Sequence, residues 1–199
     1  MADKELDQGK RNFLIAATGV TGGVAAGASG LYPLAASMLP SERAKAAGAP
    51  VEADVSKLEP GEKMVVEWRG KPVWIVRRTK EMLAAAKADE AKVADPASAK
   101  PMQPAYAKNE YRSIKPEYLV LVGICTHLGC SPVDKLQAQA EAFASDWKGG
   151  FYCPCHGSKF DYAGRVFRGA PAPLNLEVPP YVLAEGKLTI GEDQETKGS

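Results

Sequence analysis

An uncharged, apolar segment lies near the start of the chain. No charged residue occurs from Asn12 to Ser41. A helix of this length extends about 45 Å, and about 30 Å suffices to cross the hydrocarbon core of a membrane. Gly19, Gly23 and Gly27 recur at intervals of four residues, a spacing that lets membrane helices pack closely. The pattern predicts one transmembrane helix over residues 12–38.

A cleaved secretory signal peptide is the alternative interpretation of the same segment. Ala44-Lys45-Ala46 would then be its processing site. The apolar core of a signal peptide typically spans only about 7–15 residues, so the length favours the anchor.

After a short alanine-rich linker, the pattern changes at Val51 to short β-type runs separated by glycine and proline. The predicted elements are a hairpin over 64–68 and 73–76 around residues 69–72, a buried strand over 118–124, a turn at 162–165 and a last hairpin over 181–184 and 187–190. The pattern therefore predicts a mostly β domain after the anchor.

Two helices are predicted within this β region. Thr79 can cap a helix that runs to about Val93, before Asp95-Pro96 ends it. Residues 135–145 are rich in alanine and glutamine and predict a second, short helix. Four prolines between residues 96 and 116 predict an ordered loop there instead of a strand.

Composition and charge narrow the possible functions. The 199 residues fit one or two domains, and 45% hydrophobic residues are enough for a real core. The formal net charge is +1. No basic face therefore argues for nucleic acid as a partner.

The candidate chemistry is confined to two six-residue boxes. Box 1 is Cys125-Thr126-His127-Leu128-Gly129-Cys130, and box 2 is Cys153-Pro154-Cys155-His156-Gly157-Ser158. Together they contain all four cysteines and both histidines of the protein. Thiolates and imidazoles bind zinc and iron–sulfur clusters in preference to magnesium or calcium. The boxes are therefore predicted to form one metal site.

The number of candidate ligands leaves several sites open. A structural zinc ion would use four of the six donors and leave two thiols over. A 2Fe–2S cluster held by two cysteines and two histidines would also use four, and the remaining cysteines could form a disulfide. An all-disulfide framework is a third possibility, and four cysteines allow three pairings. A structural disulfide would place the domain in an oxidising compartment.

The two boxes, C-T-H-L-G-C and C-P-C-H-G-S, resemble those of the Rieske iron–sulfur subunit of bacterial ubiquinol–cytochrome c reductase, in respiratory complex III. The resemblance implies a Rieske-type antiparallel β sandwich with a small cluster-binding subdomain. It further implies that a 2Fe–2S cluster is bound by Cys125, His127, Cys153 and His156, and that Cys130 and Cys155 form a disulfide. The hydroxyl of Ser158 can donate a hydrogen bond to a cluster sulfur, and a simple turn serine is the alternative. His127 and His156 would also be the catalytic residues.

The resemblance implies an electron-transfer function in the respiratory chain. The subunit would oxidise quinol and pass the electron to a c-type cytochrome, as a catalytic subunit of an oxidoreductase and translocase complex. Its partners would be cytochrome b, the c-type cytochrome, quinol and membrane lipid. It would span the bacterial inner membrane once, with the C-terminal domain on the periplasmic side.

The same resemblance divides the chain into segments. These are a cytoplasmic N-terminus at 1–11, the anchor at 12–38, a hinge at 39–52 and the Rieske domain at 53–199, with a cluster-binding subdomain at about 117–175. Residues 169–173, the proline segment, match a loop that covers the cluster in the family. Lys10-Arg11-Asn12-Phe13-Leu14 resembles a twin-arginine export signal, but lysine stands in place of the first arginine.

Three other functions compete with this one. Rieske ferredoxins and oxygenase components generally lack the extra cysteine pair. The matching subunit of the photosynthetic cytochrome b-and-f complex is closer, but the helical insertion at 79–95 favours the respiratory type. A zinc-stabilised envelope protein with no redox role would differ in its spectrum after reduction.

Overall fold

The structure is a computed structural model that describes residues 7–193, except for the side chains of Arg43 and Ala47. Residues 1–6 of the predicted cytoplasmic N-terminus and residues 194–199 lie outside the described residues. The chain divides into two compact units, of which the first ends at Ala46 and the second begins at Ala47.

The N-terminal unit contains a long helix, α1 (Gln8–Ser37), and a short helix, α2 (Glu42–Ala47), ends at the boundary between the units. Helix α1 begins earlier than the uncharged segment because Asp7 caps it, with the Asp7 carboxylate accepting a hydrogen bond from the Lys10 N–H (3.1 Å). None of the residues of α1 is buried. Its length and composition would let it cross a membrane, which confirms the predicted transmembrane candidate.

The C-terminal unit is mostly β, as predicted. Its strands are β1 (Val51–Asp54), β2 (Lys63–Trp68), β3 (Lys71–Arg77), β4 (Tyr118–Val122), β5 (Val133–Lys135), β6 (Gly150–Cys153), β7 (Ser158–Phe160), β8 (Tyr181–Ala184) and β9 (Lys187–Ile190). They form three antiparallel sheets in the orders β1-β9-β8, β2-β3-β4 and β5-β6-β7.

All three sheets contribute residues to one hydrophobic core. Trp68 of β2 packs against Gly191, the residue after β9, so closely that a Cβ at position 191 would lie 2.5 Å from the indole nitrogen. Val55, Leu188 and Ile190 are completely buried in the same core. This close packing of two sheets is the predicted sandwich, and its burial is the main driving force for folding.

The predicted hairpins are present. The turn of the first is tighter than predicted, and the last has the predicted bounds. Arg69 and Gly70 alone form the turn between β2 and β3, both with positive φ angles of 52° and 70°. Two such residues form a type I′ turn, which matches the twist of the flanking strands. Glu185 and Gly186 form the corresponding turn between β8 and β9.

The helix predicted from Thr79 begins as expected but ends sooner. It is α3 (Lys80–Ala88), and the Thr79 hydroxyl accepts a hydrogen bond from the Met82 N–H (3.3 Å). A 3₁₀ turn, Glu90–Lys92, follows it. Val93 is extended and completely buried because it forms a β-bridge with Phe167. That tertiary pairing, which a helical residue cannot make, explains the earlier end.

The helix predicted over residues 135–145 is wrong. Lys135 ends strand β5, and the following segment consists of turns with one bridge between Glu141 and Ala144. The carbonyl groups of Lys135 and Leu136 accept hydrogen bonds from Trp147 Nε1 (3.1 Å) and the Tyr162 hydroxyl (3.0 Å). Tertiary contacts thus override the high helix propensities of alanine and glutamine.

Candidate metal centre

Box 1 follows strand β4 and forms a tight loop whose first and last residues are hydrogen-bonded to each other. The N–H of Cys125 donates to the carbonyl of Cys130 (2.7 Å), and the N–H of Gly129 donates to the carbonyl of Cys125 (3.1 Å). Gly129 has a φ of 82°, which glycine adopts without the steric cost of a side chain. The loop keeps Cys125 buried and leaves Leu128 72% exposed at its tip.

Box 2 is the connection between strands β6 and β7. Cys153 at the end of β6 lies opposite Ser158 at the start of β7. The N–H of Gly157 donates to the Cys153 carbonyl (2.9 Å), and Gly157 has a φ of 78°. Cys153 and Ser158 are both buried, whereas Cys155 and His156 between them are exposed.

A disulfide between Cys130 and Cys155 joins the two boxes. Their Cα atoms are 6.7 Å apart. The sulfur of Cys153 lies within 4.8 Å of both disulfide sulfurs, so these three atoms have the spacing of a metal-binding group. A disulfide offers no thiolate, however, and this leaves Cys153 as the metal donor of the three.

The two remaining cysteines interact with each other, and the two histidines lie side by side. Cys125 and Cys153 are free thiols and both are buried. The rings of His127 and His156 have centroids 4.7 Å apart and stand nearly perpendicular, at 89°. His127 is partly buried and His156 is exposed. Two thiols and two imidazoles form the mixed donor set that a His-ligated 2Fe–2S cluster requires, so the residues present fit that group.

The environment of Cys125 combines burial with hydrogen-bond donors. Burial raises the pKa of the Cys125 thiol, and the neighbouring Cys153 thiol adds to the increase. The N–H of His127 and the hydroxyl of Ser158 act in the opposite direction, because both donate to the sulfur. A metal binds the thiolate, so these two donors would stabilise the ligated form.

Hydrogen bonds join the proline segment to box 2 and the residue just after it to box 1. The Ser158 hydroxyl accepts a hydrogen bond from the Ala172 N–H (3.0 Å), and the Thr126 hydroxyl donates to the Leu174 carbonyl (2.6 Å). Ala172 is buried. The proline segment therefore lies beside the candidate site.

Arg112 is a supporting residue that the sequence analysis missed. Its guanidinium is completely buried and donates to the carbonyls of Gly164 (3.3 Å) and Leu176 (2.7 Å). It thus joins the chain that follows box 2 to the chain that follows the proline segment. Burial lowers the pKa of Arg112 to about 10, so the group keeps its charge at neutral pH. A lone arginine in a proline-rich loop gives no pattern that would reveal this role.

Comparisons with known proteins agree with the geometry. Residues 49–180 match the model of the Rieske [2Fe-2S] domain. The chain is 56% identical over 195 residues to the ubiquinol-cytochrome c reductase iron-sulfur subunit of Allochromatium vinosum, covering 98% of this chain and 94% of the relative. It is 42% identical to the subunit of the same name from Bradyrhizobium diazoefficiens, covering 92% and 94%.

A solved chain of a hyperthermophilic respiratory Complex III is also similar. It is 31% identical with a TM-score of 0.48, and the match covers 89% of this chain and 98% of that chain.

Proposed function

The chain belongs to the Rieske iron–sulfur subunits of bacterial ubiquinol–cytochrome c reductase, and from this premise we propose that it oxidises quinol and passes the electron to a c-type cytochrome. Membership of the family makes it a [2Fe–2S] protein of respiratory complex III with a role in electron transfer. The proposal adds the ligands, the substrate, the acceptor and a catalytic role for this subunit.

Cys125, His127, Cys153 and His156 would hold the cluster. The disulfide removes the other two cysteines from consideration, and no further cysteine or histidine exists in the sequence. When bound, the cluster accepts one electron, and neutral histidine ligands place Rieske centres at about −150 to +300 mV, a known property of this class. The hydroxyl of Ser158 would donate a hydrogen bond to a ligand sulfur and so help to hold the cluster.

The two imidazoles carry the functional argument. They lie together, and one of them is exposed, whereas both free thiols are buried. A histidine that binds iron through one ring nitrogen can hold a proton on the other. His127 or His156 could therefore accept a hydrogen bond and then a proton from quinol. Leu128, the residue after His127, presents an exposed apolar side chain suited to contact with a neighbouring subunit such as cytochrome b.

The proposal is tested on the full chain purified in detergent. The reduced protein should give the EPR signal of a His-ligated 2Fe–2S cluster, with its low average g value. The complete complex should reduce a c-type cytochrome with quinol as donor. Zinc without iron, or the spectrum of an all-thiolate cluster, would contradict the proposed ligands.

The membrane orientation is part of the proposal. Helix α1 would be the single anchor in the inner membrane, in contact with lipid, and the C-terminal unit would face the periplasm. The disulfide supports this side, because such bonds persist in oxidising compartments. Cysteine-labelling of Ser56→Cys in intact cells should therefore modify the protein from the outside, and protection until lysis would contradict the orientation.

Residues 39–52 are proposed as a hinge between the anchor and the Rieske domain. Replacing residues 44–48 with five prolines should lower quinol–cytochrome c turnover severalfold and leave the cluster's midpoint potential unchanged, because proline removes backbone freedom. Five alternating glycine and serine residues are the matched control and should preserve turnover. Normal turnover in the proline variant would show that no motion of this segment is needed.

Phe160, which follows box 2 by two positions, departs from the pattern of the family in a way that bears on the midpoint potential of the cluster. Family members often carry tyrosine there, with its hydroxyl bonded to a ligand sulfur, and Phe160 is completely buried on β7. One hydrogen bond contributes roughly 0.5–1.5 kcal/mol, which corresponds to about 20–65 mV for a one-electron couple. Phe160→Tyr should raise the midpoint potential by that amount in a redox titration.

The control for this substitution is Phe167→Tyr, which adds the same hydroxyl to a partly exposed ring beyond strand β7. It should leave the potential unchanged. No shift, or a downward one, in Phe160→Tyr would mean that the new hydroxyl reaches no sulfur.

A further inference from the structure

The indole of Trp74 lies at the base of both boxes. Trp74 is on β3, is 3% exposed, and packs against Gly123, which precedes Cys125 by two positions. The indole also stacks on Phe151, which precedes Cys153 by two positions. The ring centroids are 5.1 Å apart and the interplanar angle is 23°. One side chain thus contacts the strand leading to each buried free thiol.

Gly123 has no room for a side chain. A Cβ at this position would lie 2.5 Å from Trp74 Nε1 and 2.6 Å from Trp74 Cζ2. The backbone cannot easily move away from the ring, because the Gly123 N–H donates to the Pro72 carbonyl at 2.7 Å. The glycine is therefore required by the space that the indole occupies.

The ring is also held from the side of the third sheet. Phe151 is completely buried and pairs with Asp134 across strands β5 and β6. Asp134 forms an ion pair with Lys63, whose Nζ lies 5.1 Å from the centre of the Trp74 ring. The Lys63 ammonium thus contacts both the indole face and strand β5, which favours a fixed position of the ring.

We propose that Trp74 is a positioning residue that fixes the separation of Cys125 and Cys153 at the base of the site, while the Cys130–Cys155 disulfide joins the boxes at the other end. The inference rests on the proposed ligand roles of Cys125 and Cys153. A cluster has a fixed separation between its ligand atoms, so an indole that spaces the two strands would pre-organise the thiols for it.

The test is a double-substitution cycle in the full chain, with iron and sulfide content per chain and midpoint potential as readouts. Trp74→Ala should reduce cluster content severalfold and shift the potential of what remains. Trp74→Phe, which keeps an aromatic ring on Phe151, should retain most of the cluster. Gly123→Ala should lose cluster because its methyl group meets the indole.

The double variant Gly123→Ala, Trp74→Leu gives the decisive comparison. Leucine ends at its δ-carbons and lacks the indole atoms Cε2, Nε1 and Cζ2 that meet the methyl group, so the double variant should contain more cluster than Gly123→Ala alone. Equal or lower content in the double variant would overturn the proposal, as would wild-type content and potential in Trp74→Ala.

Trp147→Ala is the matched control. Trp147 is another buried tryptophan, 5% exposed, and its ring contacts are with Phe143 and Phe167. Its loss should lower thermal stability without moving the midpoint potential, and an equal shift of the potential would reduce Trp74 to a general core residue. Absence of the His-ligated EPR signal from the wild-type protein would refute the proposed ligands. If the wild type shows that signal and Trp74→Ala has the same cluster content and midpoint potential, this inference alone is refuted.

Discussion

Alanine in place of His127 or His156 should abolish the cluster and, with it, all quinol oxidation. In the proposed site the two imidazoles would hold the same iron, and their ring centroids lie 4.7 Å apart. A variant that lacks one of them would be short of one of the four proposed ligands, so the site should no longer retain a cluster. The neighbouring cysteines, Cys130 and Cys155, cannot replace the lost ligand, because they are joined in a disulfide.

Iron and sulfide analysis of the purified full chain measures this outcome, together with the EPR spectrum after reduction. Leu128→Ala is the control, since this side chain lies in the same loop, is 72% exposed and offers no donor atom. It should keep full cluster content even if contact with other subunits weakens. Full iron and sulfide content in either histidine variant would refute the ligand assignment.

Loss of the Cys130–Cys155 disulfide should lower the free energy of unfolding by about 3.5 kcal/mol. The two cysteines are separated by 25 positions, and the chain-entropy account of a loop of this size gives about that value. The double variant Cys130→Ala, Cys155→Ala should still assemble some cluster, because none of the four proposed ligands is changed. Both loops should nevertheless become looser.

Denaturant unfolding of the variant and the wild type, followed by circular dichroism and by cluster absorbance, gives the two free energies. Wild-type protein treated with a strong thiol reductant is the control and should approach the stability of the variant. Peptide mapping of the oxidised wild type should find the two cysteines linked. Two free thiols at these positions, or equal stability of variant and wild type, would contradict the prediction.

Local signals in the sequence were sufficient for several elements. Thr79 predicted the start of α3, because its hydroxyl caps the first turn within three residues of the chain. Glycine at the turns predicted the hairpins β2–β3 and β8–β9. The two boxes predicted a shared site, since cysteine and histidine are concentrated there and nowhere else in the chain.

Elements governed by distant contacts were not predictable in this way. The alanine-rich segment at 135–145 has the composition of a helix, but Trp147 and Tyr162 bind its first carbonyl groups and hold it as turns. Val93 leaves the helical pattern because it pairs with Phe167. In both places a partner far along the chain outweighs propensities of a few tenths of a kcal/mol per residue.

The sequence by itself determined where the candidate metal donors are concentrated, the apolar helix at the N-terminus and most strands, because each is encoded by residue type and short-range periodicity. From the residues alone, three disulfide pairings remained open, and family resemblance favoured Cys130–Cys155, the pairing that the structure contains. Only the tertiary structure placed Trp74 between the strands that lead to Cys125 and Cys153, and Arg112 behind the loops. These contacts depend on how three sheets pack, and a linear pattern of residues carries no direct record of which side chains meet across them.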